Sequence, residues 1–191
     1  MIYCDLNETR VLPITQGQPI LTKGKSRPQQ IKAWLTESRQ YMVMEDYVIF
    51  IPWLNLEILI PKGFIYDGAS VPRVLWPLLQ PDGILLIPAI IHDFGYRYNA
   101  YVRYGDNTIV CAGVGKAFHD RLFKNVAVAV NDMPILGTIA WVGLGLGGWL
   151  PWRNRRKADQ KLQEDFPNVF VDRGDCVPAH EYEVEYDEMG G

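Results

Sequence analysis

Apolar positions along the chain change their period as the sequence advances, and each change predicts an element. From Tyr41 to Ile51 and again from Leu54 to Ile60, β-branched and aromatic residues run with short polar interruptions. Leu54, Leu56, Ile58 and Ile60 alternate on one face, a texture that predicts strands. Pro52 and Pro61 bound the second run and predict a place near a sheet edge, because proline cannot donate to a ladder. Beyond a Gly/Pro-rich connection from Lys62 to Arg73, the pattern predicts a helix from about Pro88 to Tyr98 and a second from about Gly115 to Val130. Pro88 suits a first helical turn, where its missing N–H goes unnoticed.

Pro134 to Trp152 then reads PILGTIAWVGLGLGGWLPW, an uncharged run followed at once by the basic stretch Arg153-Asn154-Arg155-Arg156-Lys157. Its length is close to bilayer-spanning, but proline stands near each end and five glycines weaken it as a helix in water. A buried or interfacial helix is the expectation. Lys157 to Asp165 continues as a short polar helix that Phe166-Pro167 breaks. Residues 1–38 read as an extended N-terminal arm punctuated by Pro13, Pro19 and Pro28, residues 39–165 as an α+β domain, and residues 166–191 as an acidic C-terminal tail. The predicted class is α+β, with the arm and a small antiparallel sheet leading into a helical core.

Composition narrows the partners more than the fold. Hydrophobic residues make up 48% of the 191 and charged residues 21%, ordinary for one globular domain. A net charge of -3 gives no reason to expect nucleic acid as a specific partner. Cys4, Cys111 and Cys176 are far apart and read as three unpaired thiols of a protein made in a reducing cytoplasm. The N-terminus has no basic region followed by an apolar run, so no signal peptide is expected.

Chemistry concentrates in the two middle helices. His92 and Tyr96 share a helix face at four residues' spacing, and Asp93 lies about 100° round from His92. Asp120, on the second helix, shares a face with Lys116 and Lys124. With the helices antiparallel, Asp120 can accept from one imidazole nitrogen of His92 and leave the other as a general base. His119 reads as a helix-surface histidine, His180 as incidental in the tail, and Asp67-Gly68 as a turn. Zinc chemistry is disfavoured, since only His92 and His119 are available in the core.

Two resemblances follow from these residues. The series Gly63-Phe64-Ile65-Tyr66-Asp67-Gly68-Ala69-Ser70-Val71-Pro72-Arg73, then Pro81-Asp82-Gly83, then Ile91-His92-Asp93 and Tyr96, resembles the domain-of-unknown-function family 1353 over about Tyr41 to Trp152. That family is common in tailed phages and prophages, so the resemblance implies a bacteriophage protein. More distantly, His92-Asp93-x-x-Tyr96 with Asp120 and Phe123 is similar to the phospholipases A2, closest to the disulfide-free type of parvovirus capsids. This second resemblance implies a phospholipase A2-like helical core with His92 as base, Asp93 as a Ca²⁺ ligand, and Asp120 with Tyr96 orienting the imidazole. Tyr66, Asp67 and Gly68 would stand where a calcium loop belongs, although that segment has one glycine and a proline soon after. The secreted enzymes carry a disulfide cysteine where Gly95 stands. The implied function is Ca²⁺-dependent hydrolysis of lipid esters during entry or lysis. The other expectation is a non-enzymatic virion component of the tail or baseplate. Partners would be other phage virion proteins and a phospholipid membrane, and the protein would reside in the virion after synthesis in the host cytoplasm.

Overall fold

The computed structural model describes residues 1–8, 10–18, 26–27, 40–66, 85–132, 134–148, 152–153 and 161–174. Asp67, Gly68, Cys176 and His180 lie outside them. Among the described residues nine strands form two sheets. The larger contains β1 (Ile2–Asp5), β4 (Tyr47–Ile51), β5 (Leu56–Ile60), β7 (Tyr101–Arg103), β8 (Thr108–Val110) and β9 (Phe170–Gly174), in that spatial order. The smaller joins β2 (Thr15–Gln18), β3 (Gln40–Val43) and β6 (Ile65–Tyr66), all antiparallel. The α+β class is as the sequence pattern predicts.

Strand β4 is the buried spine of the larger sheet, with Tyr47, Val48, Ile49 and Ile51 inaccessible to solvent. Such a fully apolar run suits a strand covered on both faces. A single 3-10 turn, Pro52–Leu54, carries the chain from β4 into β5. It closes with Asn55 in the left-handed region at φ 46°, whose N–H donates to the Pro52 carbonyl at 3.0 Å. Leu54 therefore belongs to the turn, not to the strand. The edge position predicted for β5 is also corrected, because β5 pairs with β4 on one side and β7 on the other. Pro52 and Pro61 stand just outside the ladder, so they limit the strand's length without denying it a neighbour.

Segments from both the expected arm and the expected tail enter the sheets. β1 lies parallel to β4 with Ile2 opposite Tyr47, and β2 pairs with β3, so residues 1–38 are not uniformly an irregular arm. β9 lies parallel to β8, which places the first part of the expected tail in the larger sheet. Next to it, Cys111 is disulfide-bonded, and Cys4 is a buried thiol outside any disulfide. The expectation of three unpaired cysteines is thereby corrected. Widely spaced cysteines are unpaired in sequence only, and strand pairing brings distant segments together.

Helix α1 (Leu86–Tyr98) is buried nearly all round, with Pro88 in its first turn. A helix this apolar on every side belongs at the centre of a core. It ends at Asn99, left-handed at φ 49°, whose N–H caps the Gly95 carbonyl. Helix α2 (Lys116–Asn131) packs on α1, and helix α3 (Pro134–Gly147) packs on α2. The short α4 (Lys161–Asp165) follows, and the helix stops at Phe166 as expected. Among the described residues no helix is long and apolar enough to cross a membrane.

The ring of Phe94 unites helix and sheets, lying 5.0 Å from Phe64, 4.8 Å from Tyr98 and 6.2 Å from Tyr101 between centroids. Phe94→Ala is expected to cost about 3–5 kcal/mol in urea denaturation, through lost burial and a residual cavity. Ile135→Ala, at an exposed position of α3, should change stability by less than about 0.5 kcal/mol.

Candidate functional site

The site forms where α1 crosses α2. His92 touches Phe123 while Tyr96 lies against Lys116, so the two helices run antiparallel at the crossing. The centre is the carboxylate of Asp120. Its Oδ1 lies 3.0 Å from His92 Nε2 and accepts from the Tyr96 hydroxyl at 2.5 Å, while Oδ2 accepts from Lys116 Nζ. Lys116 Nζ also donates to the Leu144 carbonyl of α3 at 3.2 Å, which ties a third helix to the cluster. The tilted rings of His92 and Tyr96 stand 3.9 Å apart, and the Phe123 ring closes on His92 edge-on at 5.4 Å.

Protonation follows from this geometry. Burial alone would raise the Asp120 pKa, but hydrogen bonds from His92, Lys116 and Tyr96 outweigh it and hold the carboxyl below its usual value. Asp120 is therefore an acceptor, and His92 Nε2 must carry the proton between them. His92 Nδ1 faces Asp93, at 3.8 Å from Oδ1. Burial opposes charge on His92 too, yet the bond to Asp120 and the nearby carboxylates of Asp93 and Asp120 hold its pKa above the usual imidazole value. The imidazole is 5% exposed as a residue, so the cluster is internal.

A second histidine lies one residue before Asp120 and plays a different part. His119, expected on the helix surface, is fully buried. Asn99 Oδ1 accepts the Gly115 backbone N–H at 3.1 Å, so its orientation is settled by a donor that cannot change. His119 Nε2, 3.2 Å from the same oxygen, must donate, and Nδ1 then accepts from the Tyr101 hydroxyl at 3.0 Å. Burial first, then the nearby His92, pushes the His119 pKa down to about 3. It is neutral and structural, a clasp between the end of α1, the start of α2 and β7.

Gly95 makes the close crossing possible. A Cβ there would collide with His119 Nδ1 and the Tyr101 hydroxyl oxygen. Any side chain at this position would have to displace the His119 ring and the Tyr101 hydroxyl.

The sequence-derived set divides in three. His92, Asp93, Tyr96 and Asp120 come together on α1 and α2. Tyr66 does not join them, being buried in β6 against Tyr41 and the stacked ring of Phe64. Asp67 and Gly68 lie outside the described residues. Asp93 offers Ca²⁺ one carboxylate, whereas that ion takes six to eight oxygens. Among the described residues no group of three or more His, Cys, Asp or Glu side chains could hold a metal. These residues alone do not complete a calcium site. Sequence reasoning paired Lys116 with Asp120 by spacing but gave it no part in the site, and the Leu144 carbonyl has no sequence signal at all.

Comparison with known proteins adds one relationship. The family described as a protein of unknown function, DUF1353, matches residues 41–144, a span that contains β4 to β8, all but the first residue of β3, and helices α1 and α2. No curated protein and no solved structure matches the chain.

Two outcomes are expected. Gly95→Ala should destabilise by about 1–3 kcal/mol through overpacking against His119 and Tyr101, read by thermal or urea denaturation. The histidines should also shape the dependence of stability on pH. Below about 6.5 the unfolded chain protonates His119 while the folded chain resists until about 3, so acidification costs stability across that window. Asp120 adds to the loss only at the acid end, as pH falls below its ordinary value toward its lowered one. His92 acts the other way, its contribution intact below about 6.5 and lost as pH rises through its raised folded value. Stability in urea should therefore peak near about pH 6.5, and His119→Gln should flatten the acid limb. An acid limb unchanged by that substitution would show that His119 is not held neutral.

Proposed function

The chain belongs to the DUF1353 family, whose function is unknown, so its chemistry must come from its own site, and we propose a bacteriophage hydrolase of lipid esters with His92 as general base. The observation that carries this reading is the bond from His92 Nε2 to Asp120, which leaves Nδ1 directed toward Asp93. Asp120 fixes the tautomer and balances the imidazolium that forms when Nδ1 takes a proton from water. The resulting hydroxide adds to the ester carbonyl. Collapse of the tetrahedral adduct expels the alcohol, which recovers the proton from His92. Tyr96 and Lys116 hold the carboxylate in place throughout.

Ca²⁺ is proposed as the cofactor, with Asp93 as its carboxylate ligand, and when bound it would polarise the ester carbonyl. The proposed setting is the virion, beside other phage proteins and a phospholipid membrane, acting in entry or lysis.

A second reading is favoured by the 5% exposure of His92. In it the cluster is a polar tie between helices of a virion structural component, and the site turns over nothing.

Release of fatty acid from mixed phospholipid vesicles, with Ca²⁺ or with chelator, separates the two. The hydrolase reading expects calcium-dependent release that His92→Ala abolishes and Asp120→Asn lowers by about 10²- to 10⁴-fold. No release by the wild-type protein, with its fold intact by circular dichroism, would leave the structural reading.

A further inference from the structure

Helix α3 is apolar on both sides. Leu136, Ala140 and Leu144 face inward, packed with Phe123, Leu85 and neighbouring small residues. On the opposite face Ile135, Ile139 and Val142 are 76%, 53% and 48% exposed. No charged residue occurs between Pro134 and Trp152. A helix that is apolar all round belongs in a core or in lipid, and here only half of it has found a core.

We propose that the outer face of α3 seats the protein on the surface of an anionic lipid bilayer, lying in the plane of the interface. Charge supports this occupant. Although the chain is acidic overall, and the exposed carboxylate of Asp132 precedes the start of α3, two cations stand along the helix and past its end. Lys124 places its ammonium 5.2 Å over the ring of Trp141, which stands on the flank between the packed and the outer faces. Arg153 is exposed a few residues past the helix end. An indole at the border of an apolar face with an ammonium against its ring suits a helix lying at a bilayer interface.

Size argues against a second copy. Fourteen residues make a helix about 21 Å long, and a face about 10 Å wide gives roughly 200 Å², against about 800 Å² per partner in a standard interface. A bilayer sets no such minimum, since binding grows with apolar area and with charge. The helix is also too short to cross. The face and the His92 cluster belong to one packed unit, joined by the bond from Lys116 to the Leu144 carbonyl. The use of this surface rests on the lipid-hydrolase reading, but its test does not.

The experiment is co-sedimentation of the full chain with vesicles of phosphatidylcholine alone and of phosphatidylcholine with phosphatidylglycerol. Wild type is expected to bind the anionic vesicles more tightly, and more weakly as salt rises. The double variant Ile135→Glu/Ile139→Glu should fold normally, because both sites are exposed, and bind at least about tenfold more weakly. His92→Ala should bind as wild type does. Should that pattern appear without hydrolysis of any ester, the surface stands and the hydrolase reading falls. Absence of binding by the folded wild type, binding indifferent to the double substitution, or a dimer that the substitution disperses would each overturn the proposal.

Discussion

A buried carboxylate costs several kcal/mol unless donors replace the water it leaves, and in this molecule the folding of three helices is organised around one such group. Asp120 gathers His92 and Tyr96 from α1, Lys116 from its own helix and, through that lysine, a carbonyl of α3. The donors are drawn from separate elements, so the charge is stable only when all of those elements are in place. That requirement gives the helical layer one geometry where apolar packing alone would tolerate several. It also sets the imidazole's tautomer, so that the same contact that holds the layer together defines the chemistry available at Nδ1.

Beside this polar tie, the clasp of His119, Asn99 and Tyr101 shows how neutrality is kept where charge would be ruinous. Two imidazoles lie close together in the interior, and they carry opposite tendencies. The one beside two carboxylates is biased toward the proton, and the one among neutral acceptors and rings is biased against it. Neighbours in sequence, Asp120 and His119, thus serve two separate networks on two faces of one helix.

Much of this was legible in the sequence, for identifiable reasons. Both middle helices were readable because their apolar spacing is long and uninterrupted, and their ends agree with the structure to within about two residues. The meeting of His92, Tyr96 and Asp120 was readable because spacing puts the first two on one face and antiparallel packing does the rest. What misled was chemistry that changes meaning with position. Proline at Pro52 and Pro61 signals an edge when it sits in a ladder, and only a stop when it sits outside one. His119 looks like a surface residue until Gly95, on the helix packed against it, is seen to make room for its ring. Strands β1, β2 and β9 were missed because each is four or five residues long and owes its existence to a distant partner.

Those last strands divide the larger sheet into parts of different kinds. β4, β5, β7 and β8 form an antiparallel meander made of segments within the span shared with the family. β1 and β9 flank it on either side, both parallel to their neighbours and both from outside that span. The outermost backbone groups of a meander are open to any passing strand, and here β1 and β9 lie along them. These two flanking strands therefore act as guards of the common domain. A relative with different termini would have to shield the same two edges by other means, or present them to a partner.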